Sequence, residues 1–247
     1  MPDFLIIGAQ KCGTTSLYNY LIQHPQIVPA LQKEVHFFDL NFDKGLDWYQ
    51  SQFQPLDSHN HLITGEASPY YIFHPLVPER VHQLFPKVKL IVLLRNPVER
   101  AISHYYHEVR LGYETMGLEE AIASESTRLR GEVEKIIADG NYYSFNHQHY
   151  TYLSRGIYFD QLHTWMKFFP PEQFLIILSE DLFINPDRIL NQVFDFLELP
   201  PHQLTQYNKF NAGDYPPISQ KIYQQLQAYF RPYNQKLETL LAQKIYS

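Results

Sequence analysis

A loop that begins at Gly8 carries the residue types that bind a phosphate-like anion. Gly8 ends a short apolar run, Gly13 follows it, and the next positions hold the hydroxyl residues Thr14, Thr15 and Ser16. Glycine lets the backbone approach an anion closely, and the first turn of a helix presents N–H groups and the positive end of the helix dipole. The spacing predicts an anion site between a strand and a helix. A glycine turn without a ligand is the alternative.

The position of the lysine separates this loop from the usual nucleoside triphosphate loop. The pattern G-x-x-x-x-G-K-[ST] is matched at Gly8, Gly13 and Thr15, but Thr14 occupies the lysine position and Lys11 lies earlier in the loop. In that pattern the lysine contacts the β- and γ-phosphates. The loop therefore predicts a phosphate-like ligand and argues against the standard triphosphate geometry.

A second candidate anion site follows the apolar run at residues 90–94. Arg95 comes directly after this run, Pro97 marks a helix start, and Ser103 lies farther along that helix. A guanidinium group is a rigid fork that suits a phosphate, although an ion pair with Glu99 is the alternative. If both apolar runs are parallel strands, both loops lie at the carboxyl edge of one sheet. Two anion sites there predict a ligand with two separated phosphate-like groups.

The elements that position these loops are short strands and longer helices in alternation. Strands are predicted at residues 4–7, 62–64, 90–94 and 174–178. Helices are predicted at residues 15–23, 75–85, 97–111, 117–138, 158–169, 186–197 and 219–243, with a kink or break at Pro232. Continuous apolar runs are typical of a parallel sheet that is covered on both faces. The pattern predicts a three-layer α/β/α fold with a central parallel sheet.

Composition limits the class of protein further. The chain has 247 residues, 45% of them hydrophobic, and a net charge of −6, which predicts one globular domain over residues 1–247 and disfavours nucleic-acid binding. Cys12 is the only cysteine, so an intrachain disulfide is excluded. The sequence shows no secretory signal and no apolar run of membrane-spanning length. We expect a cytoplasmic protein, or a soluble domain of a larger one, and the oligomeric state stays open.

The histidines do not form a motif for a metal ion. The pairs His59 with His61 and His147 with His149 lack cysteine or ordered carboxylate partners in the sequence, so they are interpreted as surface or packing residues. No metal is expected.

The two loops together resemble the motifs of the sulfotransferases that use 3′-phosphoadenosine 5′-phosphosulfate. Residues 11–16 are similar to the 5′-phosphosulfate loop of that family, and residues 94–103 to its 3′-phosphate motif. Residues 33–39, 77–81 and 155–158 are similar to the glycosaminoglycan-type and bacterial members. The resemblance implies a P-loop NTPase-like sulfotransferase fold, a transferase activity, and 3′,5′-adenosine bisphosphate as the product nucleotide.

The resemblance also implies which residues bind the donor. Lys11 would contact the oxygen that bridges phosphate and sulfate and would stabilise the leaving group. Arg95 and Ser103 would bind the 3′-phosphate. The 5′-phosphosulfate end would be bound by consecutive loop residues, namely Lys11, Cys12, Gly13, Thr14, Thr15 and Ser16.

On the acceptor side, the resemblance implies that Glu34 is the general base that takes the proton of an acceptor hydroxyl. His36 lies two residues on, on the same side if the segment is extended, and would assist as a second base or as a hydrogen-bond partner. The alternative for Glu34 is a structural ion pair with Lys33 or Lys11.

Departures from the family pattern bear on the acceptor. Ala67 stands where some glycosaminoglycan enzymes have a lysine, and the loop at residues 211–216 lacks their basic residues. These two departures and the net negative charge argue against a long polyanionic sugar as the acceptor. They favour a small hydroxylated metabolite, a cell-envelope sugar or a carrier-bound hydroxyacyl chain. A P-loop kinase-like phosphotransferase and a non-catalytic nucleotide-binding domain are the alternative functions.

Overall fold

Five short parallel strands form one sheet, as the apolar runs predict. In the computed structural model, which describes residues 1–55, 61–204, 206–208 and 216–242, the strands stand in the order β2-β3-β1-β4-β5. Their bounds are Phe4–Gly8 (β1), Ile27–Pro29 (β2), Ile63–Ala67 (β3), Lys89–Leu94 (β4) and Phe174–Leu178 (β5). Four of these strands confirm predicted runs, and β2 is an addition to the prediction.

The strands β1 and β4 are neighbours in the sheet and end at the same edge of it. They pair in parallel, with Phe4 opposite Lys89 and Gly8 opposite Val92. Past the end of β1, the N–H of Ala9 donates to the Leu93 carbonyl at 2.8 Å. Because parallel neighbours end on the same side, the loop after Gly8 and the end of β4 lie at the same edge.

The chain folds as two compact units. The first contains residues 1–94 and 166–212, and the second contains residues 95–165 and 213–247. The first unit holds the sheet and, besides short 3₁₀ turns, these helices: Thr14–Leu21 (α1), Phe37–Leu40 (α2), Gly45–Gln50 (α3), Val77–Leu84 (α4), Ser179–Ile184 (α10) and Pro186–Phe196 (α11). The second unit holds the others: Pro97–Arg110 (α5), Leu118–Arg128 (α6), Glu132–Ala138 (α7), Phe145–His149 (α8), Tyr158–Trp165 (α9) and Gln220–Leu241 (α12).

Aromatic packing fixes the short helix α2 in the first unit. Phe37 and Phe38 are buried, and the Phe37 ring stacks on Tyr49 of α3 with 4.4 Å between ring centroids. The guanidinium of Arg80, on α4, donates to the Phe38 carbonyl at 2.7 Å. Burial of rings of this size stabilises a fold by roughly 1.5–3 kcal/mol each, so α2 is a firmly held element although it is short.

The second unit corrects two helix predictions. The helix expected over residues 117–138 is divided into α6 and α7, and Gly131 between them adopts a left-handed conformation with φ of 76°. Helix α12 continues through Pro232, so of the predicted kink or break the break does not occur, and the predicted last residue, 243, lies outside the described residues. Val98 and Ile102 of α5 pack with Leu226 and Phe230 of α12.

Among the helices of the described residues, none combines the length and the apolar character that crossing a membrane requires.

Candidate active site

The loop between β1 and α1 is a compact turn that ends at a helix start. The Cys12 N–H donates to the Ala9 carbonyl at 3.2 Å, and the Cys12 carbonyl accepts a hydrogen bond from Ser179 Oγ of α10 at 2.8 Å. Helix α1 then begins at Thr14. The positive end of the α1 dipole therefore lies at this loop, which is the arrangement that favours an anion.

Gly13 is required by the backbone of this turn. Its φ is 90°, and a Cβ atom there would lie 3.1 Å from Cζ of Phe183. Lys11 also has a positive φ, of 68°, although it is not a glycine. Non-glycine residues in this region are uncommon and cluster at functional sites. The backbone of the loop is thus shaped at the two positions where the sequence predicts contacts with an anion.

The other predicted loop residues differ in exposure. Thr15 is half-buried and Lys11 likewise, whereas the side chains of Cys12, Thr14 and Ser16 are buried. All of them lie in the same loop or in the first turn of α1, as the spacing predicts.

The predicted base Glu34 is the first of a line of three side chains, each in contact with the next: Glu34, His36 and Asp39. Glu34 and His36 precede α2, and Asp39 lies in it. Glu34 Oε2 is 3.5 Å from His36 Nε2, and His36 Nδ1 is 2.8 Å from Asp39 Oδ2. The exposed side-chain fraction falls along this line, from 42% at Glu34 to 20% at His36 and 0% at Asp39. Lys33 Nζ also contacts Glu34 Oε1, so the ion pair considered as an alternative for Glu34 is present.

Glu34 and His36 are in contact, but not because the segment is extended, as the sequence analysis expected. An extended segment would place both side chains on one side, but Glu34 has a φ of 62° and His36 a φ of 52°. Two left-handed residues turn the chain back on itself and bring the carboxylate and the ring together. The segment is not extended, and the contact arises from the turn.

Electrostatics fixes the protonation states of this line. Burial raises the pKa of Glu34, but the hydrogen bond with His36 and the charge of Lys33 outweigh it and lower the pKa to about 2. Burial lowers the pKa of His36, but the hydrogen bond and the charge of Asp39 outweigh it and raise the pKa to about 10. At neutral pH Glu34 is therefore a carboxylate and His36 an imidazolium.

Four residues support this segment, and the sequence analysis assigned none of them a role in it. Asp39 pairs with His36, and its spacing of three residues was a usable signal. The others are Glu66, Ser68 and Tyr71, of which Glu66 is a fully buried carboxylate in β3. An acidic residue within a buried strand is rare enough to have marked this position.

The predicted 3′-phosphate residues belong to the second unit. Asn96 Oδ1 caps α5 by accepting the N–H groups of Val98 at 3.0 Å and Glu99 at 3.4 Å. Arg95 Nη2 is 3.7 Å from Glu99 Oε2, with both side chains partly exposed, so the ion pair considered for Arg95 is present. Ser103 is buried on α5. A partly exposed pair of this kind contributes about 0–1 kcal/mol and can be exchanged for a phosphate contact.

The two histidine pairs of the sequence differ from each other in burial and in their contacts. His147 is buried, and burial lowers its pKa to about 3, while His149 Nδ1 is 2.9 Å from Glu108 Oε2. His61 is exposed. Within the described ranges no three side chains of histidine, cysteine, aspartate or glutamate are grouped for a metal ion. His59 and residues 211–215 of the late loop lie outside the described residues.

Comparison with known proteins gives consistent matches over most of the chain. Residues 1–225 match the family described as "Sulfotransferase domain". The human heparan sulfate glucosamine 3-O-sulfotransferase 5 is 34% identical over 96% of this chain and 71% of its own length. The membrane-associated sulfotransferase kil1 of Dictyostelium discoideum is 29% identical over 98% of this chain, which spans 65% of that relative.

A solved sulfotransferase from Alicyclobacillus acidocaldarius has the same fold. It is 29% identical to this chain with a TM-score of 0.83, and the match covers 99% of this chain and 97% of the other. The expected fold class, a three-layer α/β/α fold around a parallel sheet in the P-loop NTPase-like form, is confirmed.

Proposed function

Because this chain belongs to the sulfotransferase family, we propose that it transfers a sulfuryl group from 3′-phosphoadenosine 5′-phosphosulfate to a hydroxyl group, with Glu34 as the general base. The predicted enzyme class, a sulfotransferase, is confirmed by the family match and the relatives. The donor, the roles of the residues and the acceptor are the parts that we propose.

The loop after β1 fits the phosphosulfate end of this donor. Its support is the backbone shape at Gly13 and the helix dipole of α1. Residues 12–16 would surround the 5′-phosphate, and the ammonium group of Lys11 would contact the bridging oxygen. When bound, the donor supplies an activated sulfuryl group. The sulfate carries one negative charge fewer than a terminal phosphate, so the proposed reaction does not require a metal ion to neutralise it.

Arg95 and Ser103 are proposed to bind the 3′-phosphate. Their support is the sequence motif at residues 94–103 and the weak character of the pair between Arg95 and Glu99. The doubly charged phosphate is a stronger partner for a guanidinium group than one exposed carboxylate. The family match spans residues 1–225, which include parts of both units, and we propose that residues 1–247 act as one sulfotransferase domain.

The observation that carries the base assignment is the ionised, partly exposed Glu34 held by His36 and Asp39. In the proposed reaction the acceptor oxygen bonds to sulfur, and the bond from sulfur to the bridging oxygen breaks. Glu34 takes the hydroxyl proton, and Lys11 stabilises the charge on the leaving oxygen. His36 carries a proton at neutral pH, so its proposed role is that of a hydrogen-bond partner rather than a second base.

The proposed acceptor is a hydroxyl group of a small metabolite, an envelope sugar or a carrier-bound acyl chain. One relative is named after heparan sulfate as its acceptor. Ala67 stands where the family resemblance implies a lysine in some glycosaminoglycan enzymes, so we propose a different acceptor for this chain. The cytoplasmic location stays a prediction, and one relative is named as membrane-associated.

The test is sulfuryl transfer from labelled donor to a panel of hydroxyl acceptors by wild type, Glu34→Gln and Glu79→Gln. Glu79 is an exposed glutamate of the same unit and provides the matched control. We expect Glu34→Gln to lower kcat by about 10²–10⁴-fold. The affinity for 3′,5′-adenosine bisphosphate, measured by calorimetry, should stay within about twofold because Glu34 faces the acceptor.

Several outcomes would overturn this proposal. Full activity of Glu34→Gln would remove the general base. Magnesium-dependent ATP binding that outcompetes the bisphosphate would favour the phosphotransferase alternative. Nucleotide binding by the wild type without transfer to any acceptor would favour the non-catalytic alternative.

A further inference from the structure

Glu66 is a buried carboxylate whose partners are hydroxyl groups. It lies in β3 and has no exposed surface. Ser68 Oγ donates to Glu66 Oε2 at 2.6 Å, Tyr71 Oη donates to Oε1 at 2.6 Å, and Tyr49 Oη donates to Oε1 at 3.3 Å. Burying an ionisable group costs free energy unless its hydrogen bonds are satisfied, and here three hydroxyl groups satisfy them.

Two of these hydroxyls also hold the segment that carries the proposed base. Ser68 Oγ accepts the backbone N–H of His36 at 3.1 Å, and Tyr71 Oη accepts the backbone N–H of Phe37 at 2.8 Å. These amides lie where α2 begins, at the left-handed N-cap residue His36, whose own side chain makes no capping hydrogen bond. The segment of Glu34 is therefore connected to β3 through two hydroxyls.

The direction of these hydrogen bonds depends on Glu66. A hydroxyl has one proton, and by donating it to the carboxylate it turns its lone pairs toward the backbone amides. A carboxylate accepts only, so it forces this direction on Ser68 and on Tyr71 together. We propose that Glu66, acting through Ser68 and Tyr71, is a positioning residue that holds Glu34 and His36 in their reactive arrangement.

The surrounding charges agree with this role. The pKa of Glu66 is raised above its ordinary value, chiefly by burial, and the hydrogen bonds from Ser68 and Tyr71 offset this only in part. The pKa values of Tyr49 and Tyr71 are raised well above their ordinary value, chiefly by burial, so both keep their protons for donation. Five titratable groups lie around Glu66. Three are tyrosines, namely Tyr18 of α1, Tyr49 of α3 and Tyr71, and the other two are His36 and Asp39.

The test uses Glu66→Gln as the first variant. Glutamine has the same size, but its NH₂ group donates, so one hydroxyl must reverse and release an amide of His36 or Phe37. Tyr71→Phe removes one hydroxyl and keeps the ring, and it serves if Glu66→Gln does not fold. Ser68→Ala and Ser68→Thr form a loss and rescue pair.

Glu125→Gln is the matched control. Glu125 is also a buried carboxylate, and it accepts the N–H groups of Leu153 at 2.6 Å and Ser154 at 2.8 Å, in the other compact unit. We expect this variant to lower the melting temperature without changing the titration of His36.

The first readout is the titration of the His36 ring by NMR, with its resonance assigned from a His36→Gln spectrum. In wild type we expect a midpoint near the pKa of about 10, and in Glu66→Gln or Tyr71→Phe a midpoint moved toward 6.5 as the contacts with Asp39 and Glu34 loosen. This measurement needs no donor and no turnover.

The second readout rests on the proposed function and uses turnover. We expect kcat to fall about 10-fold or more, with the affinity for 3′,5′-adenosine bisphosphate unchanged. The acidic limb of the kcat profile should move from near pH 2 toward pH 4.5 because the pKa of Glu34 returns toward its ordinary value. A loss that is only structural lowers kcat at every pH and leaves the limb in place.

Folded variants that keep the wild-type titration of His36 would overturn the positioning role. Absence of sulfuryl transfer by the wild type would overturn the proposed function alone, since the NMR titration would still report on positioning. If Ser68→Thr does not restore the His36 titration that Ser68→Ala loses, the hydroxyl of residue 68 has no part in positioning His36.

Discussion

Replacement of Asp39 by asparagine tests the charge state of the proposed base segment. The Asp39 carboxylate is fully buried and bonds to His36 Nδ1 at 2.8 Å, and its other oxygen accepts the Leu40 N–H at 2.7 Å. Asparagine keeps the shape of the side chain but removes its charge. The imidazolium of His36 then loses the interaction that contributes most to its raised pKa.

The magnitude follows from the raised pKa of His36. Because the pKa is about 10 in the folded protein and 6.5 when the ring is unperturbed, the stabilisation is complete below pH 6.5 and is lost as the pH rises through 10. Proton linkage gives a loss of about 2.5 kcal/mol between pH 7 and pH 9 in the wild type. Removing one partner of a buried pair costs about 3 kcal/mol at neutral pH, which lowers the melting temperature by about 6–12 °C in a chain of this size.

Urea unfolding at several values between pH 6 and pH 9 measures this effect. The difference in free energy of unfolding between wild type and Asp39→Asn should be largest near pH 6 and should shrink as the pH rises. Asp47→Asn, at an exposed position of α3, should show no such trend. A double variant of Asp39→Asn with His36→Gln should be less destabilised than the sum of the two. A difference that stays constant across this range would refute the protonated state of His36.

Three further substitutions test the donor side. Lys11→Ala should lower kcat by about 10²–10³-fold with little change in bisphosphate affinity, because its proposed contact strengthens as charge builds on the leaving oxygen. Arg95→Ala should instead weaken that affinity by about 10-fold or more in calorimetry, and equal small effects of both would contradict the roles. Gly13→Ala should destabilise the protein by about 1–3 kcal/mol in thermal unfolding and weaken bisphosphate binding, because of its positive φ and the Phe183 ring. Gly117→Ala, where an added Cβ meets no atom within 4 Å, is its control.

The strands were predictable where burial on both faces leaves an uninterrupted apolar run. The predicted runs at residues 4–7, 90–94 and 174–178 agree with β1, β4 and β5 to within one residue at each end. Strand β2 is three residues long and contains a proline, so it has no pattern to detect. Strand β3 continues past the predicted end at residue 64, because hydroxyl groups outside the apolar run satisfy the buried carboxylate of Glu66.

The anion loop was predictable because glycine and hydroxyl residues at this spacing, between a strand and a helix, are typical of an anion-binding site. The turn that joins Glu34 to His36 was not, since its left-handed residues are a glutamate and a histidine, which rarely adopt this conformation. The amides of His36 and Phe37 in this turn donate to Ser68 and Tyr71, which are more than thirty positions away in the sequence. Local sequence patterns carry no information about contacts at such a separation.

The low pKa of Glu34 constrains how it contributes to the proposed reaction. A carboxylate with a pKa of about 2 is a weak base, and general-base catalysis is most effective when the pKa lies near the working pH. The hydroxyl proton therefore has to move late, after the forming bond to sulfur has made it acidic. In that case the position of Glu34 matters more than its basicity, and a carboxylate fixed by His36, Asp39 and the hydroxyls on Glu66 is suited to it.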